Sequence, residues 1–164
     1  MEATANPTES DWINLSKYLS KCSNSGVYVI YATRGDDKIP FYIGQSKNVA
    51  ARLGDYARAS FAADTDFKVG RTVRLLEERG YEILVEIERT SDRWAREREL
   101  IKRHSDRPLL NSVPGYKYKT AKEDEELSRL EEYVRENFSG GFERPAELKR
   151  GHGAAASAVA NANS

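Results

Sequence analysis

The chain has 164 residues, with 26 basic and 26 acidic side chains, 39% apolar residues and 10% aromatic ones. That length buries enough surface for one self-supporting core, and the balance excludes collagen-like, mucin-like and wholly disordered classes. No apolar run approaches the ~20 residues needed to cross a bilayer, the polar N-terminus MEATANPTESDW is no secretory signal, and the lone Cys22 excludes an internal disulfide or a cysteine-based zinc site. A cytoplasmic protein is expected.

Residues 1–25 read as a polar arm with a short helical turn around residues 12–19. Gly26-Val-Tyr-Val-Ile-Tyr-Ala32 is rich in β-branched and aromatic residues and predicts a strand. Arg34-Gly-Asp-Asp-Lys38 carries turn chemistry, and Ile39-Pro-Phe-Tyr-Ile43 predicts a second strand, so the two form a hairpin with a five-residue connection. Pro40 cannot donate to a ladder, which predicts that the second strand starts late or is exposed there.

Ser46 is the expected cap of a helix that aligns Val49, Leu53 and Tyr56, with Arg52 beside them. A second helix is expected over residues 66–79, striped by Val69, Val73 and Leu76 and ended by Gly80. Tyr81, Ile83, Val85 and Ile87 alternate with glutamates and predict a half-buried strand. Ser91 or Asp92 opens a third helix reaching His104, with Trp94, Leu100 and Ile101 facing inward. Pro108-Leu-Leu-Asn-Ser112 is expected to be extended. Thr120 and Glu123 form a capping box before a last helix striped by Leu127, Leu130, Val134 and Phe138. Beyond Gly140-Gly141 the chain becomes an Ala/Gly/Asn/Ser tract too polar to bury itself. The order β-β-α-α-β-α with an extra C-terminal helix predicts an α+β fold, a small three-stranded antiparallel sheet flanked by helices.

Charge is uneven although its sum is zero. Between Lys102 and Lys122 six basic residues (Lys102, Arg103, Arg107, Lys117, Lys119, Lys122) meet one acid, Asp106, whereas residues 123–136 carry seven acids against Arg129 and Arg135. Such runs are either two solvated faces or a basic patch offset by an acidic helix. Chemistry concentrates in the hairpin. A symmetric five-residue connection pairs residue 28 with 44 and residue 30 with 42, which sets Tyr28 and Tyr42 on one face. Arg52 and Tyr56 are four apart and leave one face of the following helix. Taken alone, two phenols on a sheet face are ordinary packing residues.

In combination the residues say more. Gly26-Val27-Tyr28, Tyr42-Ile43-Gly44, Arg52, the carboxylate of Glu97-Arg-Glu-Leu-Ile101 and Asn111 after Pro108 stand in the order of the GIY-YIG nucleases, which residues 26–112 resemble. The arm, a C-terminal helical extension over residues 113–139 and a disordered tail over residues 140–164 fall outside the resemblance. The resemblance implies a metal-dependent DNA endonuclease, with one divalent cation, magnesium or manganese, held by a glutamate. Tyr28 would serve as general base or orient the water, with Tyr42 beside it and Arg52 gripping the scissile phosphate. An ordinary phenol is a poor base at neutral pH, so a cation such as Lys38 or Lys47 would have to favour the phenolate. Glu97 precedes Leu100-Ile101 by the family's usual interval and is the first choice as metal ligand; Glu99, twelve residues before Asn111, is the second. Asn111 would tie its segment back to the site. Tyr56 replaces the histidine that many members carry, and it cannot be an easily protonated acid. His104 reads as a surface group at a helix end, and His152 lies in the tail.

Lys47, Lys102, Arg103, Lys117 and Lys119 are the expected contacts to DNA. The arm and the C-terminal helix are candidates for recognition or for a homodimer contact. The competing readings are a non-cleaving nucleic-acid-binding module of the same fold and an unrelated α+β scaffold whose tyrosines are core.

Overall fold

The computed structural model describes residues 25–117 and 120–138. The expected turn in the arm, Cys22, Lys119, His152 and the polar tail lie outside the described residues. In chain order the elements are β1 (Gly26–Arg34), β2 (Asp37–Ser46), α1 (Val49–Arg58), α2 (Asp64–Glu78), β3 (Glu82–Arg89), α3 (Arg93–Arg103), a single 3-10 turn (Leu110–Ser112) and α4 (Glu123–Asn137). The expected α+β architecture is present: three antiparallel strands in the order β2-β1-β3, with helices on both faces. Among the described residues no helix is long and apolar enough to cross a membrane.

The hairpin reaches the expected register by another route. Its connection is two residues, Gly35-Asp36, with Gly35 in the left-handed region at φ 57. Next to the turn Arg34 pairs with Asp37 and Tyr31 with Pro40, and then the register shifts by one, so Ile30 pairs with Tyr42 and Tyr28 with Gly44. Phe41 is the extra residue of a β-bulge. Without it Tyr42 would face Val29 and leave the opposite side of the sheet from Tyr28. With it, both Phe41 and Tyr42 join the cluster of Tyr28, Ile30 and Ala32, while Ile43 joins Val27, Val29 and Tyr31 on the other face. Pro40 is buried rather than exposed. It is tolerated because β2 is an edge strand and a bulge follows at once.

One sheet face is covered by α1, α2 and α4, whose core includes Phe41, Phe67, Leu76, Val134 and Phe138. Full burial of each such side chain is worth ~1.5–3 kcal/mol. On the other face α3 contributes Leu100. The segment after α3 crosses the free edge of β2, so that Leu109 joins the core of one face and Leu110 the core of the other.

Several local expectations are corrected. Asn48, not Ser46, caps α1, accepting from the Ala51 N–H at 3.0 Å, while Ser46 Oγ is engaged with the Asn48 backbone. The second helix starts at Asp64, two residues early. Asp92 is the cap of α3, but Trp94 points outward and is 56% exposed. Residues 110–112 form the 3-10 turn instead of an extended run. The Thr120–Glu123 box is absent: Thr120 Oγ1 donates to the Lys117 carbonyl, and Lys122 precedes α4 without a side-chain cap bond. Strand β3 lies at the edge, begins after the buried Tyr81 and is more exposed than its alternation suggests.

Gly44 lies under the Tyr28 ring, where an added Cβ would fall within 3.0 Å of the hydroxyl, Cζ and Cε2. Gly44→Ala is expected to cost about 1–3 kcal/mol, the range for overpacking a filled core, read as a lower urea midpoint. A loss below about 0.5 kcal/mol would show that Tyr28 moves aside freely.

Candidate active site

The bulge and the start of α1 bring three phenols together on one sheet face. The Tyr28 and Tyr56 hydroxyls are 2.6 Å apart, and Tyr56 donates to Tyr42 at 3.4 Å. A phenol has one proton to give, so when Tyr56 gives it to Tyr42, Tyr28 is the donor to Tyr56. The chain then runs Tyr28→Tyr56→Tyr42 and leaves the Tyr42 proton for whatever lies beyond. Tyr28 and Tyr56 are fully buried and Tyr42 partly so. Burial is the main reason that all three hold their protons more tightly than a free phenol; the charge of a neighbouring phenolate adds to it for each, while the bond with Tyr56 works the other way for Tyr28, and that with Tyr42 for Tyr56.

The cation expected to offset this is not where it was sought. Lys38 lies on the opposite face, over the Tyr31 ring at 4.2 Å and ion-paired with Glu86. Burial, followed by Glu86, pushes Tyr31 up to about 12. Lys47 is exposed on the turn into α1. The cation that reaches the phenols is Arg52, whose guanidinium lies over the Tyr56 ring at 4.9 Å and lowers Tyr28 only in part. Burial works against the charge of Arg52, but Tyr56 and Asp66 outweigh it and leave the group harder to deprotonate than usual.

Asp66 is a site residue that the sequence did not reveal. Arg52 Nη1 contacts its Oδ1 at 2.7 Å and Asp55 Oδ2 at 3.6 Å. The Asp66 oxygen is buried and receives no aligned hydrogen bond, and burial raises its pKa more than Arg52 lowers it. In the sequence an acid in the first turn of a helix reads only as complementing the helix dipole. What brings it to Arg52 is the close packing of α2 on α1 at Gly70, where a Cβ would overlap the Tyr56 carbonyl and Ala59.

Glu97 and Glu99 have different surroundings. Arg93 Nε donates to Gln45 Oε1 on β2 at 2.6 Å. Glu97, four residues on, leaves the same side of α3 toward the β2 edge, and its charge is felt by Tyr42. It is half-buried, and burial raises its pKa more than Arg98 lowers it. Among the described residues Glu97 forms no hydrogen bond or ion pair. Glu99 is exposed, held at 2.8 Å by both Arg96 and Arg103, and its pKa is lowered chiefly by its hydrogen bond with Arg96.

Asn111 clips the edge: its Oδ1 accepts from the Ile43 N–H at 3.0 Å and its Nδ2 donates to the Ile43 carbonyl at 2.7 Å. It stands in for a neighbouring strand beside Tyr42. Of the expected DNA contacts in the basic run, the structure describes Lys102, Arg103 and Lys117. Lys102 lies roughly 140° around α3 from Glu97, and Arg103 is engaged by Glu99. The exposed Lys117 follows Tyr116, which stacks on Phe61 at 4.6 Å past the end of α1. A second cleft of about 270 Å³ opens on the opposite sheet face, lined by Tyr31, Glu86, Glu88, Arg96 and His104. Its charges are held in pairs, Arg96 gripping Glu88 at 2.8–3.0 Å and Glu86 bound by Lys38.

No protein-family model matches the chain, and neither does any curated protein or solved structure.

The partnerless Glu97 has a stability signature. Burial makes the folded chain hold its proton more tightly than the unfolded chain. Stability therefore falls as pH rises from the ordinary carboxylate pKa of about 4.3 through the raised folded one. Glu97→Gln is expected to melt at a higher temperature than the parent near pH 7 and at the same temperature near pH 3, below both pKa values. Equal melting near pH 7 would place an unnoticed cation at the carboxylate.

Proposed function

We propose that the chain is a metal-dependent endonuclease that hydrolyses phosphodiester bonds in DNA, in the manner of the GIY-YIG nucleases it resembles. One observation carries the reading: the phenol chain, the Arg52 guanidinium and the unpaired carboxylate of Glu97 meet around the β2 edge. A packing role explains the tyrosines but leaves a half-buried carboxylate that, among the described residues, has no hydrogen bond or close ion pair and only the partial offset of Arg98.

The donor set fits a hard divalent cation. Magnesium is commonly bound through one or two carboxylates while keeping several waters, and Glu97 is half-buried and uncommitted. Glu97 would hold the ion, and Glu99, already bound by two arginines, would not. When bound, such an ion stabilises charge on a phosphoryl group and makes water a better nucleophile.

The protein side chains supply the rest. Arg52 keeps its charge and has five N–H donors, so the part of the fork that is not turned toward Asp66 and Asp55 can engage a phosphate. Asp66 holds that fork in place. Because burial keeps the phenols protonated, their role at neutral pH is to donate: Tyr42 presents its proton to a phosphate oxygen or to the attacking water, supported by Tyr56 and Tyr28 behind it. Burial raises Tyr28 more than its hydrogen bond with Tyr56 and the charge of Arg52 lower it, so orienting is the better-supported role. A second reading is a binding module of the same fold that does not cleave.

Plasmid and oligonucleotides incubated with magnesium or manganese, and with EDTA, separate the two. Cleavage that stops with EDTA and with Glu97→Ala, while that variant still binds DNA, supports the nuclease; retention without cleavage under every metal supports the module. Loss of cleavage in Glu99→Ala but not in Glu97→Ala would reverse the choice of ligand. Arg52→Ala is expected to slow single-turnover cleavage by about 100- to 1,000-fold, as when one preorganised charge-stabilising contact is removed. A decrease below about fivefold would show that Arg52 serves its Asp66 pair alone.

A further inference from the structure

Trp94 is the most exposed large apolar side chain among the described residues, at 56%. It is not part of a wider apolar patch. The other two exposed ones, Leu84 and Ile87, are on β3, to which α3 is tied by Arg96, and Arg96 lies roughly 200° around the helix from Trp94. Trp94 instead shares the β2 side of α3 with Glu97, three residues on, which places the indole one turn from the carboxylate.

Its neighbours suit a polyanion. The Arg93 guanidinium lies 5.4 Å from the indole centroid and is itself fixed by Gln45. Arg98 follows Trp94 by four residues on the same side, and Lys47 is two residues beyond Gln45. Among the described residues Arg93, Arg98 and Lys47 form no ion pair. An indole kept in water beside unspent cations, one turn from a candidate phosphate-cleaving centre, is the combination that single-stranded nucleic acids recognise: a groove for the backbone and an aromatic face for a base.

Resting on the nuclease reading above, we propose that Trp94 is a stacking platform for a nucleobase next to the scissile phosphate. The preferred substrate is then DNA with an unpaired nucleotide at the cut, as in a gap, a flap or a single strand. In continuous duplex every base is already stacked on its neighbours and presents no face to the indole.

The full chain carrying Trp12→Phe has Trp94 as its one tryptophan, so fluorescence reads this residue directly. With EDTA present to stop cleavage, a duplex with a three-nucleotide gap is expected to quench that emission, and the same duplex without the gap is not. Trp94→Ala should weaken binding of the gapped duplex by about 5- to 100-fold, the range for losing one base–aromatic stack, and change binding of continuous duplex less than twofold. Trp94→Phe should restore most of the difference. Binding of the gapped duplex without quenching, or equal weakening of both duplexes, would overturn the platform while leaving the nuclease reading intact if cleavage persists. A DNA-free emission shift that grows with protein concentration, matched by faster sedimentation, would assign the indole to a second copy of the chain instead. Absence of both cleavage and binding on all probes would remove the platform together with the nuclease reading.

Discussion

One inserted residue in an edge strand governs the arrangement of the rest. The two-residue turn after β1 would by itself set Tyr28 and Tyr42 on opposite faces of the sheet. The bulge at Phe41 restores the pairing of Ile30 with Tyr42 and sends two consecutive side chains to the same side. Phe41 goes into the core against Phe138, edge-on at 6.4 Å, and Tyr42 goes to the rim beside Tyr56. A single break in the ladder thus both fills the core and completes the phenol chain. It also bends and twists the strand locally, at the edge where Asn111 then has to satisfy Ile43.

Around that edge, close packing and electrostatics act in opposite directions. Gly44 and Gly70 remove side chains so that Tyr28 can lie over β2 and α2 can approach α1. The result buries polar groups that prefer water: three phenols, the Asp66 carboxylate and half of Glu97, each with a pKa raised by burial. Asp66 finds Arg52, and the phenols find one another. Glu97 finds no hydrogen bond or ion pair among the described residues, and Arg98 offsets its burial only in part. Perturbed titratable groups of this kind concentrate at functional sites, which is why the edge of β2, rather than the cleft whose charges are paired, is read as the place where the molecule acts.

The burial of the phenols also changes the chemistry assigned to them. A phenolate beside a lysine was the simplest expectation for Tyr28, but Lys38 is across the sheet and Arg52 offsets desolvation only partly. Protonated tyrosines in a directed chain are donors. The nuclease reading therefore rests on orientation and charge stabilisation by Tyr42, Arg52 and Glu97 more than on a tyrosine base.

Much of this was legible in the linear chain. The grouping of Tyr28, Tyr42, Arg52, Tyr56, Glu97 and Asn111 rested on the resemblance to the GIY-YIG nucleases, whereas alternation and turn residues specified three strands and 3.6-residue spacing specified four helices. These are local properties, decided by backbone preference and by which side of one element a residue leaves. The bulge, the outward turn of Trp94, the pairing of Arg52 with Asp66 and the separation of Glu97 from Glu99 were not legible. Each depends on what another element places opposite: the core volume that accepts Phe41, the β2 edge past which α3 projects, the approach allowed at Gly70, and the arginines that reach Glu99. Sequence by itself determined the strands and helices and which of their residues are candidates for a site; only tertiary packing decided the charge states and partners of those residues, because burial and Coulomb interaction depend on distances between segments far apart in the chain.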